Sequence, residues 1–425
     1  MLFEQKTVRL QDITSVIGDG LHGTPVYDDK GEYFFINGNN LRNGKIETNP
    51  STRRVSENEH HNYKKQLSDR TILVSINGTL GNVALYRGEK VVLGKSACYL
   101  NVNQDVDTNF VRYVLESPLF QNYVHNLATG STIKNVSLKL MRDFTFSLPS
   151  ILAQHKIANV LGTLDNKINL LQETNRTLEA IAQAIFKSWF IDYDPVHAKQ
   201  QGKECEGIDA ETAALFPDGF ESSELGEIPK GWGVSSVGSE FKLTMGQSPP
   251  GDSYNTDANG MPFYQGRTDF GYRFPTIRVY CSAPTRIAKQ GDILVSVRAP
   301  VGDVNVAIEE CCLGRGVAGI RHPRDCQSYA LYTITSLDSH FKKFDGEGTV
   351  FGSINKKDFE SIPLVVPPDN VIVKFEAIAS FLDRKIINNE FELRTLSKLR
   401  DTLLPRLISG RLRIEDAQSM VEGVQ

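Results

Sequence analysis

Between residues 151 and 192 the apolar positions fall alternately four and three apart: Ile157, Leu161, Leu164, Ile168, Leu171, Leu178, Ala182, Ile185 and Trp189, with Asn175 the one polar residue in the series. That spacing keeps a narrow apolar stripe on one side of a helix and predicts a coiled-coil seam. A second stretch keeps the register with Phe375, Ala379, Leu382, Ile386, Leu393, Leu396, Leu403 and Leu407, interrupted by Asn389 and Arg400, and Gly410 supplies a helix stop. From Ile157 to Phe190 is 34 residues, or roughly 50 Å of helix at about 1.5 Å per residue. The pattern elsewhere is different. Short alternating apolar runs such as TILVSI and ACYLNV, set between Gly, Asn and Asp, predict strands joined by turns. The predicted layout is a sheet domain over 1–150, a helix over 151–192, a polar extended connection over 193–232, a second sheet domain over 233–368, a helix over 369–412 and a tail over 413–425.

The second half repeats the first. ILVSINGTLGNV at 72–83 returns as ILVSVRAPVGDV at 293–304, which sets Gly81 on Gly302 at an offset of 221. Gly130-Ser-Thr matches Gly348-Thr-Val, and Leu164-Asp-Asn-Lys-Ile matches Leu382-Asp-Arg-Lys-Ile, both at 218. GEYFFINGNNL at 31–41 resembles GMPFYQGRTDF at 260–270 only loosely, so the sheet parts have drifted further than the helices. A single seam cannot bury itself, and a pseudo-twofold duplication predicts that the two helices pack antiparallel. Opposing Asn175 to Asn389 sets a register in which partners sum to 564, with Leu171 facing Leu393, Ile168 facing Leu396 and Trp189 facing Phe375. Only Leu164 opposite Arg400 is a poor pair. The expected fold class is α+β: two strand-rich domains joined by two long antiparallel coiled-coil helices.

Composition narrows the chemistry. A net charge of −4 argues against a protein that coats nucleic acid non-specifically, which needs a basic surface, though it leaves room for local basic faces. The six cysteines (Cys98, Cys205, Cys281, Cys311, Cys312, Cys326) form no CxxC pair, so neither a zinc ribbon nor a disulfide framework is expected. No apolar run reaches the length of a signal peptide or a membrane span, which makes the cytoplasm the default expectation. Catalytic motifs are missing. LGKS at 93–96 ends like a phosphate loop, but its first glycine would fall on Glu89 and Gly88 is one place off. Asp192-Tyr-Asp-Pro195 lacks the second proline of an amino-methyltransferase tetrapeptide and reads as a helix end. Pro217-Asp218 with Glu227 and Lys230 has the wrong spacing for a nuclease. His60-His61 point apart on any regular element, and Cys311-Cys312 reads as core. No catalytic residue and no metal site is expected.

What remains is a set of loops. Thr24, Asn37, Asn39, Asn40, Arg42 and Asn77 in the first half, and Gln247, Ser248, Gln265, Arg267, Arg273 and Arg298 in the second, are groups suited to base edges, Arg to guanine and Asn or Gln to adenine. Asparagine and glycine also cluster in turns for purely conformational reasons. Lys134 and Lys139, with Lys356 and Lys357, follow the repeated glycine motif in each half and are candidates for phosphate.

Three stretches together resemble the specificity subunits of Type I restriction-modification systems: IFKSWFIDYDPVHAK at 185–199, FPDGFESSELGEIPKGW at 216–232 and LRDTLLPRLISGRLRI at 399–414. The resemblance implies two target-recognition domains held apart and inverted by the helix pair, and a non-catalytic subunit that reads two half-sites on double-stranded DNA. It also implies that the helices recruit two methyltransferase subunits and then the restriction subunits. On that reading S-adenosylmethionine, ATP and magnesium belong to the partners, and this chain holds no cofactor. The competing expectations are a coiled-coil adaptor whose sheet domains bind protein, and an enzyme carrying its own methyltransfer.

Overall fold

The computed structural model describes residues 5–130, 134–344 and 352–423. Of the repeated glycine motif, Ser131, Thr132 and Gly348-Thr-Val fall outside them. Two helices of 40 residues each dominate the element order, a central helix over Ile151–Phe190 and a distal helix over Asp369–Ile408. The chain divides into two compact units, Met1–Leu171 with Glu392–Gln425, and Gln172–Phe391. Each unit therefore joins one sheet domain to a portion of both helices.

In the first unit a four-stranded antiparallel sheet runs in the order Thr14–Asp19, Ala97–Val102, Thr71–Ser75, Val83–Leu85. Beside it Tyr33–Ile36 pairs antiparallel with Arg54–Val55 and parallel with Val91–Leu93. The second unit repeats this with Lys242–Met245, Val317–Arg321, Ile293–Ser296 and Val304–Val306. The register repeats too. Ile72 faces Leu85 and Ile293 faces Val306, both pairs related by 221, and Val74–Val83 matches Val295–Val304 in the same way. Strands buried on both faces, as TILVS is throughout, read as continuous apolar runs, which is why this segment survives as the clearest trace of the duplication.

The helices bury their stripes inside their own units. In the first, Ile157, Leu161, Leu164, Ile168 and Leu171 share one core with Leu393, Leu396, Leu403, Leu407 and the domain's Phe110 and Val114. Each such side chain taken from water is worth roughly 1.5–3 kcal/mol. Arg400, opposite Leu164 in the expected register, turns aside to Asp165 (3.2 Å) and Asp401 (2.9 Å), which removes the poor pairing. In the second unit Asn389 Nδ2 donates to Asn175 Oδ1 at 2.7 Å, and Asn175 Nδ2 donates to the Ile386 carbonyl at 3.5 Å. Trp189 meets Phe375 with ring centroids 6.0 Å apart. Both pairs sum to 564, so within this unit the helix segments run antiparallel. Ala182, Phe375, Ala379 and Ile386 are buried between them, and Leu178 and Leu382 are partly buried.

The stretch 193–232 differs from the extended connection expected. It forms helices Asp194–Gln200 and Ala210–Ala214 and a hairpin of Phe220–Ser223 with Gly226–Pro229. The physical reason is its sparse apolar residues: Val196, Phe216, Ile228 and Trp232 are buried against Trp189 and Phe190. Polar composition hid four anchors. Among the described residues no helix is long and apolar enough to cross a membrane, and no cluster of three metal-ligating side chains occurs.

Candidate nucleic-acid interface

Each sheet domain gathers its loops at one end through the same set of backbone bonds. In the first unit Leu21 N donates to Leu93 O (2.7 Å), Gly94 N to Ile36 O (2.8 Å), Ile76 N to Ser96 O (3.0 Å) and Val136 N to Ile76 O (2.8 Å). In the second unit Gln247 N donates to Leu313 O (3.0 Å), Gly314 N to Tyr264 O (2.8 Å), Val297 N to Gly316 O (2.9 Å) and Ile354 N to Val297 O (3.1 Å). These are the same four bonds in two copies. The turns 93–96 and 313–316 act as hubs, each tying down three other loops.

The duplicated INGTLGN and VRAPVGD loops close alike. Gly81 N reaches Ser75 O and Gly302 N reaches Ser296 O, both at 2.9 Å, with the two glycines at φ +80° and +96°. A Cβ at Gly81 would lie 2.3 Å from Gln121 Oε1, and one at Gly302 would lie 2.4 Å from Phe341 Cβ. Glycine is required at both by conformation and by space. The Ser75 hydroxyl donates to Thr79 O and the Ser296 hydroxyl to Pro300 O, locking each loop from within.

Onto this frame the chain hangs most of the residues singled out above. Thr24, Asn39, Arg42 and Lys134 are exposed and Asn77 is half-buried in the first unit; Gln247, Ser248, Gln265, Arg267, Arg298 and Lys356 are exposed in the second. Asn77 and Arg298 occupy equivalent positions, bridged through their backbones to Asn135 and Ser353. Arg42 Nε holds the Asn39 carbonyl (3.2 Å), Arg267 pairs with Asp303, and Lys356 pairs with Glu360 at 3.4 Å. Lys134 and Lys356 are not equivalent; Lys139 and Lys357 are, each in a short helix capped by Ser137 or Asn355.

Of the remaining residues, two are half-buried and hydrogen-bonded within their own turn, and one, Arg273, needs correction. Asn37 accepts from the Ser96 hydroxyl (3.0 Å), and Asn40 accepts from Asn37 N (3.0 Å) and donates to Glu47 O (3.0 Å), so both amides hold their own turn. Arg273 is buried, with its side chain 5% exposed, and offers nothing to a base.

Arg273 belongs instead to a clamp between sheet domain and helix. Its Nη2 donates to Asp383 Oδ1 at 2.6 Å, the Tyr332 hydroxyl donates to the same oxygen at 2.9 Å, and Glu179 lies at 3.5 Å. The first unit has the counterpart: Arg112 Nη2 at 2.6 Å and the Tyr113 hydroxyl at 2.8 Å on Asp165 Oδ2, with Glu116 held by Arg112 Nε at 2.8 Å. Asp165 and Asp383 are the aspartates of the repeated Leu-Asp-x-Lys-Ile motif. Burial alone would pull the Arg273 guanidinium down, but the Asp383 carboxylate beside it carries it above the ordinary arginine range. Burial raises the Tyr332 and Tyr113 phenols and the Glu179 and Glu116 carboxyls. The arginines come from unrelated positions, Arg112 from helix Thr108–Glu116 and Arg273 from a loop, and Leu331 stands where Arg112 would repeat.

Sequence reasoning overlooked two more residues. Lys95 and Arg315, both exposed, sit at the same place in the two hub turns. The signal was present as Leu-Gly-Lys-Ser against Leu-Gly-Arg-Gly at an offset of 220.

Two copies of one loop-bearing domain, each clamped to a long helix, define a duplicated α+β chain whose exposed loop residues differ between copies. The chain belongs to the Type I restriction modification DNA specificity domain family, whose model matches residues 4–180 and 229–400. It is 31% identical over 352 residues to a proposed type I restriction enzyme MjaX specificity subunit of Methanocaldococcus jannaschii, covering 79% of this chain and 76% of that one. It is 27% identical over 335 residues to the type I restriction enzyme HindI specificity subunit of Haemophilus influenzae, covering 67% and 72%. The crystal structure of a Type-I restriction-modification S subunit from M. genitalium matches with a TM-score of 0.57 at 18% identity over 96% of both chains, a likeness of fold.

Proposed function

We propose that this chain is the DNA sequence-recognition subunit of a type I restriction-modification complex, without a catalytic centre of its own, reading a bipartite target with one sheet domain per half-site. The observation that carries this reading is the pair of loop clusters built on the same four backbone bonds but bearing different exposed polar side chains. A constant frame with variable tips is what two readers of different short sequences need. Arg298, Arg267 and Arg42 suit guanine, and Asn39, Asn77, Gln247 and Gln265 suit adenine.

The helices serve as the scaffold that recruits two methyltransferase subunits and, through them, the restriction subunits. S-adenosylmethionine, ATP and magnesium are then the partners' ligands. The helices also act as the ruler for half-site spacing, which for two adjacent major-groove readers is set by the DNA turn of about 34 Å. Inserting one heptad into a helix therefore changes the preferred spacer or abolishes assembly; unchanged spacing defeats the ruler. The decisive experiment is co-expression with the methyltransferase partner followed by genome-wide mapping of modified bases. Two half-sites at fixed separation are expected. Stable assembly with no sequence-dependent modification would instead favour a protein-binding adaptor.

A further inference from the structure

The hub turns Leu93–Ser96 and Leu313–Gly316 are fixed from several sides by backbone hydrogen bonds and by close packing. A Cβ at Gly94 would meet Asn37 Oδ1 at 2.3 Å, and one at Gly316 would meet the Gln265 carbonyl at 2.3 Å. A Cβ at Gly246, packed on the second turn, would lie 2.2 Å from the Gly314 carbonyl oxygen. With three loops bonded to each turn as well, neither can shift without disturbing the whole reading end. Each carries one exposed cation, Lys95 or Arg315.

We infer that Lys95 and Arg315 are the DNA-backbone anchors of the two reading domains, gripping phosphate and not base edges. The inference rests on the DNA-reading function proposed above. Its warrant is a contrast between neighbouring positions of one frame. At the Asn77/Arg298 position and at the Thr79/Pro300 position the two copies carry chemically unrelated residues. At the hub both carry a cation. A position that reads bases must change character when the half-site changes, whereas phosphate is identical in every sequence, and Lys or Arg satisfies it. Lys139 and Lys357 are a second retained pair, but they ride on short helices that lean on Leu10–Ile13 and Val237–Glu240, not on the turns that gather the loops. In a chain of net charge −4 a few placed cations matter more than they would on a basic surface.

The test uses the complex with its methyltransferase partner and duplexes carrying the mapped target, read by fluorescence anisotropy across a salt series. Lys95→Ala and Arg315→Ala should each weaken target and random DNA by the same factor. Each should also flatten the slope of log K against log[salt] by about 0.9, the value for one phosphate, and leave the methylated motif unchanged. Lys95→Arg and Arg315→Lys should keep the wild-type slope, which also covers an alanine variant that fails to fold. An unchanged slope in both alanine variants overturns the inference, as does a relaxed base preference at one position of one half-site. A wild-type complex that modifies no bipartite target refutes the function itself, and so is distinguishable from failure of the anchors.

Discussion

Replacing Asp383 by alanine removes the oxygen that holds both the Arg273 guanidinium, at 2.6 Å, and the Tyr332 hydroxyl, at 2.9 Å. The arginine then sits 5% exposed with Glu179 at 3.5 Å as its remaining acidic neighbour. Breaking a buried pair in this way costs about 3–5 kcal/mol, because a charge is left in the interior with only the more distant Glu179 to compensate it. Asp165→Ala in the first unit should cost less. There Arg112 keeps Glu116 through two bonds of 2.8 and 3.2 Å, and Arg400 keeps Asp401, so chiefly the Tyr113 hydroxyl loses its acceptor. An unsatisfied buried group of that kind costs about 1–3 kcal/mol.

The assay is urea denaturation of the full chain, with the two variants measured against wild type. Because the chain forms two compact units, two transitions are possible, and each variant should move the one that reports its own unit. A double substitution, Arg273→Met with Asp383→Leu, removes the pair and should recover part of the Asp383→Ala loss, since apolar replacement of a buried pair is commonly near neutral while Glu179 gives up its cation. Asp165→Ala costing as much as Asp383→Ala, or no recovery in the double variant, would refute the clamp as described.

Three further outcomes are expected. Asn175→Leu should cost about 1–3 kcal/mol by leaving the buried Asn389 amide unpaired, while Asn175→Leu with Asn389→Leu should cost less than the single change; additive losses in thermal melts would count against the pair. Gly81→Ala and Gly302→Ala should both destabilise by at least about 1–3 kcal/mol for the left-handed backbone, and Gly302→Ala by more, because Phe341 is fully buried and meets the new methyl at its Cβ, whereas half-buried Gln121 meets it at the end of its side chain and can yield by loosening its bonds to the Gly81 and Leu115 carbonyls; equal losses would be wrong for this geometry. Burial raises the Glu376 carboxyl, which accepts from Ser328 N and Tyr329 N at the start of helix Gln327–Ser336. A carboxyl raised on folding contributes stability that is full below the ordinary glutamate value of about 4.3 and is lost as pH rises through the folded value. Glu376→Gln keeps an acceptor without the charge, so its stability relative to wild type should improve as pH climbs above that value; a difference independent of pH between 4 and 8 would contradict this.

The parts of this molecule that can be read from its sequence are those where one physical demand acts on many residues at once. The seam is visible because burial imposes a spacing over 40 residues, and the two asparagines stand out only against that spacing. The sheets are visible through TILVS and ILVS, whose burial on both faces tolerates little substitution. The stretch 193–232 is misread because four scattered apolar residues fold it, too few to make a period.

The loops defeat composition for a different reason. Asn37, Asn40 and Arg273 carry the same side chains a DNA reader would use, and only their neighbours decide that they bond to Ser96, Glu47 and Asp383. A polar loop residue has two employments, holding the loop and meeting a ligand, and the chain alone does not distinguish them. A duplication can, because the two copies share a frame but need not share a ligand. Where the frame needs a group, both copies keep its function: the serines that lock the loops, and the aspartates of the clamp, which recruit arginines from unrelated positions to the same place. Loop positions whose side chains differ, such as half-buried Asn77 against exposed Arg298, are not fixed in character by the frame and are where sequence preference should reside. Exposed positions that keep one charge, Lys95 and Arg315, answer to something outside the chain that is the same for both halves. Exchanging Asn77 and Arg298 should therefore alter which bases are selected in each half-site without altering stability, and mapping the methylated motif of that double exchange measures it; an unaltered motif would place base selection elsewhere in the loops.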